Sequence, residues 1–123
     1  MAAQLLEASV RRADGLAIID LRGDIDGTTE ETLNAAYAEA ASTRPAAIAL
    51  NFGGVEYINS TGIALIVGVL AQARKAKLPI STFGLSEHYK EIFQITRLSD
   101  FMHIYANEAD AVGKTSNAKA QRD

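Results

Sequence analysis

Cysteine does not occur anywhere in the 123 residues. Disulfides, thiolate nucleophiles and cysteine-ligated zinc are thereby excluded. Positive charge is not in surplus either: 12 Lys and Arg face 15 Asp and Glu, for a formal net charge of −3 at pH 7. That balance offers no basic footprint for nucleic acid and no attraction to an anionic membrane. No apolar run reaches the about 18 residues that would imply a membrane span. The opening MAAQLLEASVRR lacks a basic segment followed by a long apolar one, so export is not expected and a cytoplasmic location is. Familiar catalytic and nucleotide signatures are missing too. There is no Gly-x-Ser-x-Gly around Ser60, no Gly-x-Gly-x-x-Gly and no Walker A lysine. Asp24 and Asp26 stand two residues apart without a third ligand at a standard spacing, and His88 and His103 are isolated. No metal, cofactor or catalytic activity is expected.

What is present is the composition of an ordinary globular protein, 48% hydrophobic and 22% charged. The length favours one domain, drawn over 1–112, with a polar, non-periodic tail over 113–123 expected to be disordered. QLLEASVRR and LAIIDLRG read as strands joined by the turn signal Ala13-Asp14-Gly15, hence an antiparallel hairpin. Leu33, Ala36, Tyr37, Ala40 and Ala41 make one apolar helical face, with Thr28 and Glu31 as a capping box at its start. Pro45 ends that helix, and AAIALNF follows as a short strand apolar on both faces, as in a parallel sheet. A helix from about Gly62 to Lys77 leads to the strand LPISTFG. Ser86 then caps a helix burying Tyr89, Ile92 and Phe93. FMHIY is a last short strand, and Asn107 caps a final turn or helix. Strands alternating with helices at this spacing predict α/β architecture: a mixed, mostly parallel sheet with an antiparallel edge strand and helices packed on it.

The junction Asn59-Ser60-Thr61-Gly62 stands between an apolar strand and an apolar helix. A hydroxyl at Ser60 can serve simply as a helix cap. The same place suits a phosphoryl group, because a helix start offers free amides and partial positive charge. In α/β sheets the loop from a strand's carboxyl end into a helix is also where function gathers. Along the following helix, Ile63, Ile66, Val67, Leu70 and Ala73 fall on one side, the expected core face. Ala64, Leu65, Gly68, Gln72 and Lys75 fall opposite, uncharged in the first turns. Glycine inside a helix costs roughly 1 kcal/mol against alanine. Gly68 therefore either admits close packing within the chain or keeps a smooth patch open to another protein.

NFGGVEYINSTGIALIVGVL resembles the central motif of STAS domains, the family of bacterial anti-sigma-factor antagonists. IIDLRGDIDGTTEETL is similar to the family's strand ending in Gly-Glu/Asp-Leu/Ile-Asp, and EIFQITRLSDFMHIYANEADAV to its C-terminal part. The resemblance spans about residues 5 to 112. It implies a non-enzymatic binding switch. The serine matching Ser60 would be phosphorylated by a partner, an ATP-binding serine kinase that is also the anti-sigma factor, with Thr61 as the second candidate. Unphosphorylated antagonist would hold the kinase, the phosphorylated form would release it, and a phosphatase would reset the cycle. The partner surface would comprise Asp24, Asp26, Asn59, Ser60, Thr61, Gly62, Ala64, Leu65 and Gly68. Asn59 departs from the family's usual aspartate and removes a negative charge beside the serine. Some STAS domains are never phosphorylated and act as scaffolds in stressosome-like assemblies or as transporter subunits, which is the alternative. A hydrolase would require a His within reach of Ser60.

Overall fold

Two residues turn the chain back on itself at the start of the fold. Asp14 (φ 50°) and Gly15 (φ 85°) both take positive φ, the twist that suits a tight hairpin. They join β1 (Glu7–Ala13) to β2 (Leu16–Ile25), paired antiparallel from Ala13↔Leu16 to Glu7↔Arg22. The computed structural model describes residues 5–122. Met1 to Gln4 and Asp123, assigned above to the domain start, the first strand and the tail, lie outside the described residues.

After β2 come α1 (Glu30–Ala41), β3 (Ala47–Ile58), α2 (Ser60–Lys75), β4 (Ile80–Phe83), α3 (Glu87–Ile95), β5 (His103–Ile104) and α4 (Glu108–Arg122). The five strands form one sheet in chain order, with β2, β3, β4 and β5 parallel and β1 antiparallel at one edge. This is the mixed α/β sheet anticipated from the alternation of element types. Alternate residues of the central strands feed opposite layers, as the two-residue repeat of a strand requires. Ala17, Ile19, Leu21, Ile48 and Leu50 meet Leu33, Tyr37, Ile66, Leu70 and Phe93 of α1, α2 and α3. Leu16, Ile18, Ala49 and Phe83 face the other way, onto Ala111 and Val112 of α4. Each such Leu or Ile taken fully from water contributes about 1.5–3 kcal/mol, so the larger layer dominates stability.

Some local expectations change. The capping box at Thr28 and Glu31 does not form, because a single 3₁₀ turn, Gly27–Thr29, intervenes and moves the helix start to Glu30. Asp26 caps that turn instead, and Thr29 uses its hydroxyl on the Asp26 carbonyl at 2.8 Å. Ser86 and Asn107 do cap α3 and α4 as expected, through the amides of Tyr89 and Asp110. α4 continues beyond Gly113 to Arg122, whereas composition alone predicts a disordered tail. Thr115 explains part of the difference: it is buried, and its hydroxyl returns to the Ala111 carbonyl at 3.0 Å. Among the described residues no helix is long and apolar enough to cross a membrane.

A charged clasp ties α4 to the hairpin. The Arg11 guanidinium donates to both Asp20 (2.9 Å) and Glu108 (2.7 Å), and Asn51 donates to Asp20 at 2.8 Å. The Arg11 bonds hold both carboxyls below their ordinary range, against a smaller desolvation effect. A carboxyl depressed on folding contributes stability above its unfolded value, near pH 4, and loses it as pH falls through the folded value. The pair is partly exposed, so the contribution is small. Arg11→Met is expected to lower the melting temperature by roughly 1–5 °C at pH 7. Thermal unfolding followed by circular dichroism should show that gap narrowing as the pH falls below the ordinary carboxyl range and through the depressed folded values of Asp20 and Glu108.

Candidate functional site

β2 and β3 end together, Asp24 opposite Tyr57 and Ile25 opposite Ile58. Each strand then turns into a helix, so the two turns meet at the carboxyl end of the sheet. The Asn59 amide donates to the Ile25 carbonyl at 3.2 Å. A Cβ placed on Gly62 would lie 2.2 Å from that same oxygen, and one on Gly27 3.3 Å from the Thr61 methyl. Glycine at position 62 is thus a requirement of close approach: the first turn of α2 rests directly on the end of β2.

The cap of α2 is Asn59. Its side-chain oxygen accepts the Gly62 amide at 2.8 Å, and its carbonyl accepts the Ile63 amide at 2.9 Å. Ser60 is the first helical residue, exposed, as is Thr61 beside it. The capping task that could have explained Ser60 therefore belongs to its neighbour. Asp26 lies in the adjoining turn. Its carboxylate accepts the Thr28 hydroxyl at 2.6 Å and the Thr28 amide at 2.9 Å, which together hold it below the usual carboxylate range. It stays ionised and holds its own turn in shape. Asp24 is half-buried and engaged within the chain.

The surface of α2 differs from the helical-wheel expectation in one respect. Gly62, Ile66, Val69, Leu70 and Ala73 are buried, whereas Val67, assigned above to the core face, is 45% exposed. Contact between Gly62 and the Ile25 carbonyl sets the rotation of the helix, and that rotation brings Val69 inward in place of Val67. Ile63 and Leu65 are half-buried against the core, while Ala64 and Gly68 are exposed. A Cβ on Gly68 would meet nothing within 4 Å, so no packing within the chain calls for a glycine there. The exposed strip Ala64, Val67, Gly68 and Ala71 is uncharged; basic residues enter only in the last turn, at Arg74 and Lys75. Tyr57, 56% exposed two residues before the cap, and Val67 are surface residues the sequence reading did not assign to the site. The apolar character of both was visible, but their outward direction was not.

His88 packs its ring against Tyr89 and His103 stacks on Tyr105; among the described residues no hydrogen bond joins a histidine to Ser60. Among the described residues no three His, Asp or Glu groups converge as metal ligands. A surface cavity of about 830 Å³ lies between the second half of α2 and the chain around Leu98 to His103, with Arg74 5.5 Å from the Phe101 ring centre. Ser60 does not line it.

The geometry is that of an exposed hydroxyl at a helix start, flanked by a smooth apolar surface. The family model described as STAS domain matches residues 7–111. The chain belongs to the STAS domain family. An anti-sigma-B factor antagonist of Listeria monocytogenes is 27% identical over 111 residues, covering 90% of this chain and 96% of that protein. A crystal structure of an anti-sigma factor antagonist from Mycobacterium paratuberculosis superposes with a TM-score of 0.75 at 19% identity, covering 90% and 94% of the two chains. The Bacillus cell fate determinant SpoIIAA in its phosphorylated form gives 0.66 at 20% identity, covering 88% and 98%. The curated relative and the solved structures named here are described as anti-sigma factor antagonists or, for SpoIIAA, as a cell fate determinant.

The contrast between the two glycines of α2 can be measured. Gly62→Ala forces Cβ into the Ile25 carbonyl and is expected to cost roughly 2–3 kcal/mol, like other overpacking changes. Gly68→Ala meets open space and should stabilise by up to about 1 kcal/mol. Urea unfolding of both variants checks the opposite signs.

Proposed function

We propose that this STAS domain is an anti-sigma-factor antagonist switched by phosphorylation of Ser60. Its partner is an ATP-binding serine kinase that doubles as the anti-sigma factor, and the encounter takes place in the cytoplasm. The observation that carries the reading is the division of labour at the junction: Asn59 caps α2, so the adjacent Ser60 hydroxyl is exposed and has no structural task at the cap. Unmodified, the junction and the strip Ala64, Leu65, Gly68 form a close, uncharged contact with the kinase, and Asp24, Asp26, Thr61 and Gly62 border it. Phosphorylation adds about −1.5 to −2 charges to that contact. The new charge suits the helix itself, because a helix start favours anions. It opposes the partner, which would have to desolvate it next to the ionised Asp26. The fold stays as it is and the complex separates; a phosphatase restores the binding form.

Asn59 favours a second reading on one specific ground. A neutral amide supplies the cap without the negative charge that an aspartate would place next to the hydroxyl, so this domain could serve as an unphosphorylated scaffold or transporter subunit.

Burying an unpaired charge in such a contact costs several kcal/mol, and each ~1.4 kcal/mol is tenfold in affinity. Ser60→Asp is therefore expected to weaken kinase binding by well over tenfold. Gly68→Glu should do the same without touching the hydroxyl, and Ser60→Ala should keep binding while blocking modification. Calorimetric titration against the cognate kinase, with mass spectrometry after incubation with ATP, separates the readings. Undiminished binding by Ser60→Asp, together with no phosphate on Ser60 or Thr61, would select the scaffold.

A further inference from the structure

We propose that the Tyr89 hydroxyl is the positioning group for the Ser60 junction, making α3 part of the apparatus that presents the serine. The inference rests on Ser60 being the contact point, and it concerns a residue on a different element.

The need for such a group arises from unequal strand lengths. β3 extends from Ala47 to Ile58, but β4 pairs with it only from Ile48 to Asn51. Beyond Asn51, β3 continues toward the junction with strand β2 on one side and no strand on the other. Both register irregularities between β2 and β3, at Asp20/Arg22 and at Gly23/Asp24, fall in this overhang. The strand is therefore least regularly held just where it must deliver Asn59 and Ser60.

Tyr89 closes the gap. The Ile58 amide donates to the Tyr89 Oη at 2.8 Å, and the Tyr89 hydroxyl, 3.4 Å from the Ile58 carbonyl, donates back to it. One buried hydroxyl thus serves both backbone groups of the last residue of β3, as a neighbouring strand would. The ring is 8% exposed, and one turn further along α3 Phe93 packs edge-on against Phe52 of β3 at 5.7 Å. Ser86 caps α3 through the amide of Tyr89 itself, at 3.2 Å. Ile58 leads directly to Asn59, whose amide is held by Ile25 and whose side chain caps Gly62. Ser60 is thus oriented by two anchored residues in succession, one tied to α3 and the next to β2.

Tyr89→Phe keeps the ring and its packing but leaves the buried Ile58 amide without its acceptor, a costly state. In the full-length chain, amide hydrogen exchange at Ile58 and Asn59 should accelerate by about tenfold or more, with Ile18 and Ile19 of β2 unchanged. Affinity for the partner kinase should fall at least about fivefold, with Ser60 itself intact. A purely structural role would instead raise exchange across the core and leave the affinity of the folded fraction unaltered. Unchanged exchange at Ile58 overturns the proposal. So does faster exchange at Ile58 with undiminished kinase affinity, provided Ser60→Asp abolishes binding in the same assay. If Ser60→Asp leaves binding intact, the phosphorylation reading falls, and the local exchange result alone decides for or against Tyr89. Should Tyr89→Phe fail to fold, the wild-type chain still gives an answer by NMR. A slowly exchanging Tyr89 hydroxyl proton with a contact to the Ile58 amide supports the proposal, and its absence overturns it.

Discussion

The carbonyl oxygen of Ile25 is the point on which the site turns. It accepts the Asn59 amide at 3.2 Å, which joins the ends of β2 and β3. The same oxygen leaves no room for any side chain at position 62. One backbone atom therefore fixes both where α2 begins and how it is rotated. The consequences reach along the helix. With Gly62 pressed inward, Ile66, Val69, Leu70 and Ala73 enter the core, and Ala64, Val67 and Gly68 come to the surface as an uncharged strip.

The junction is polar without carrying charge of its own. Asn59 caps, Ser60 and Thr61 present hydroxyls, and the first turn of α2 contains no acidic residue. Asp26, in the adjoining turn, is occupied with Thr28. An uncharged first turn suits the proposed switch, because an added phosphate would be a large local change in charge. On the α4 side of the sheet, Arg11 pairs with both Asp20 and Glu108. Helix α4 can be held by these ion pairs without disturbing the α2 surface, since the two helices occupy different layers.

The division between what was legible and what was not follows the range of each interaction. Element types came from hydrophobic periodicity, the hairpin from Asp14-Gly15, and the caps of α3 and α4 from Ser86 and Asn107, all decided within a few residues of chain. The parallel order followed from alternating strands and helices, and the junction residues were recognisable as a group. The misassigned cap at Thr28 was also local in kind, but the 3₁₀ turn that displaced it is held by Asp26, whose side chain and carbonyl take up Thr28 and Thr29.

By itself, then, the sequence determined the architecture, the family and the place where polar residues interrupt an apolar strand and helix. Those are properties of composition, spacing and short-range hydrogen bonding. Only the tertiary structure decided that Asn59 rather than Ser60 is the cap, and that Val69 rather than Val67 is buried. It alone extended β3 beyond β4 and brought the Tyr89 hydroxyl to Ile58, across 31 residues of chain. It alone joined Arg11 to Glu108, 97 residues apart. The physical reason is common to all of these. A helix's rotation, a strand's length and a side chain's distant partner are set by the surface each element meets, and periodicity along one segment holds no record of that surface.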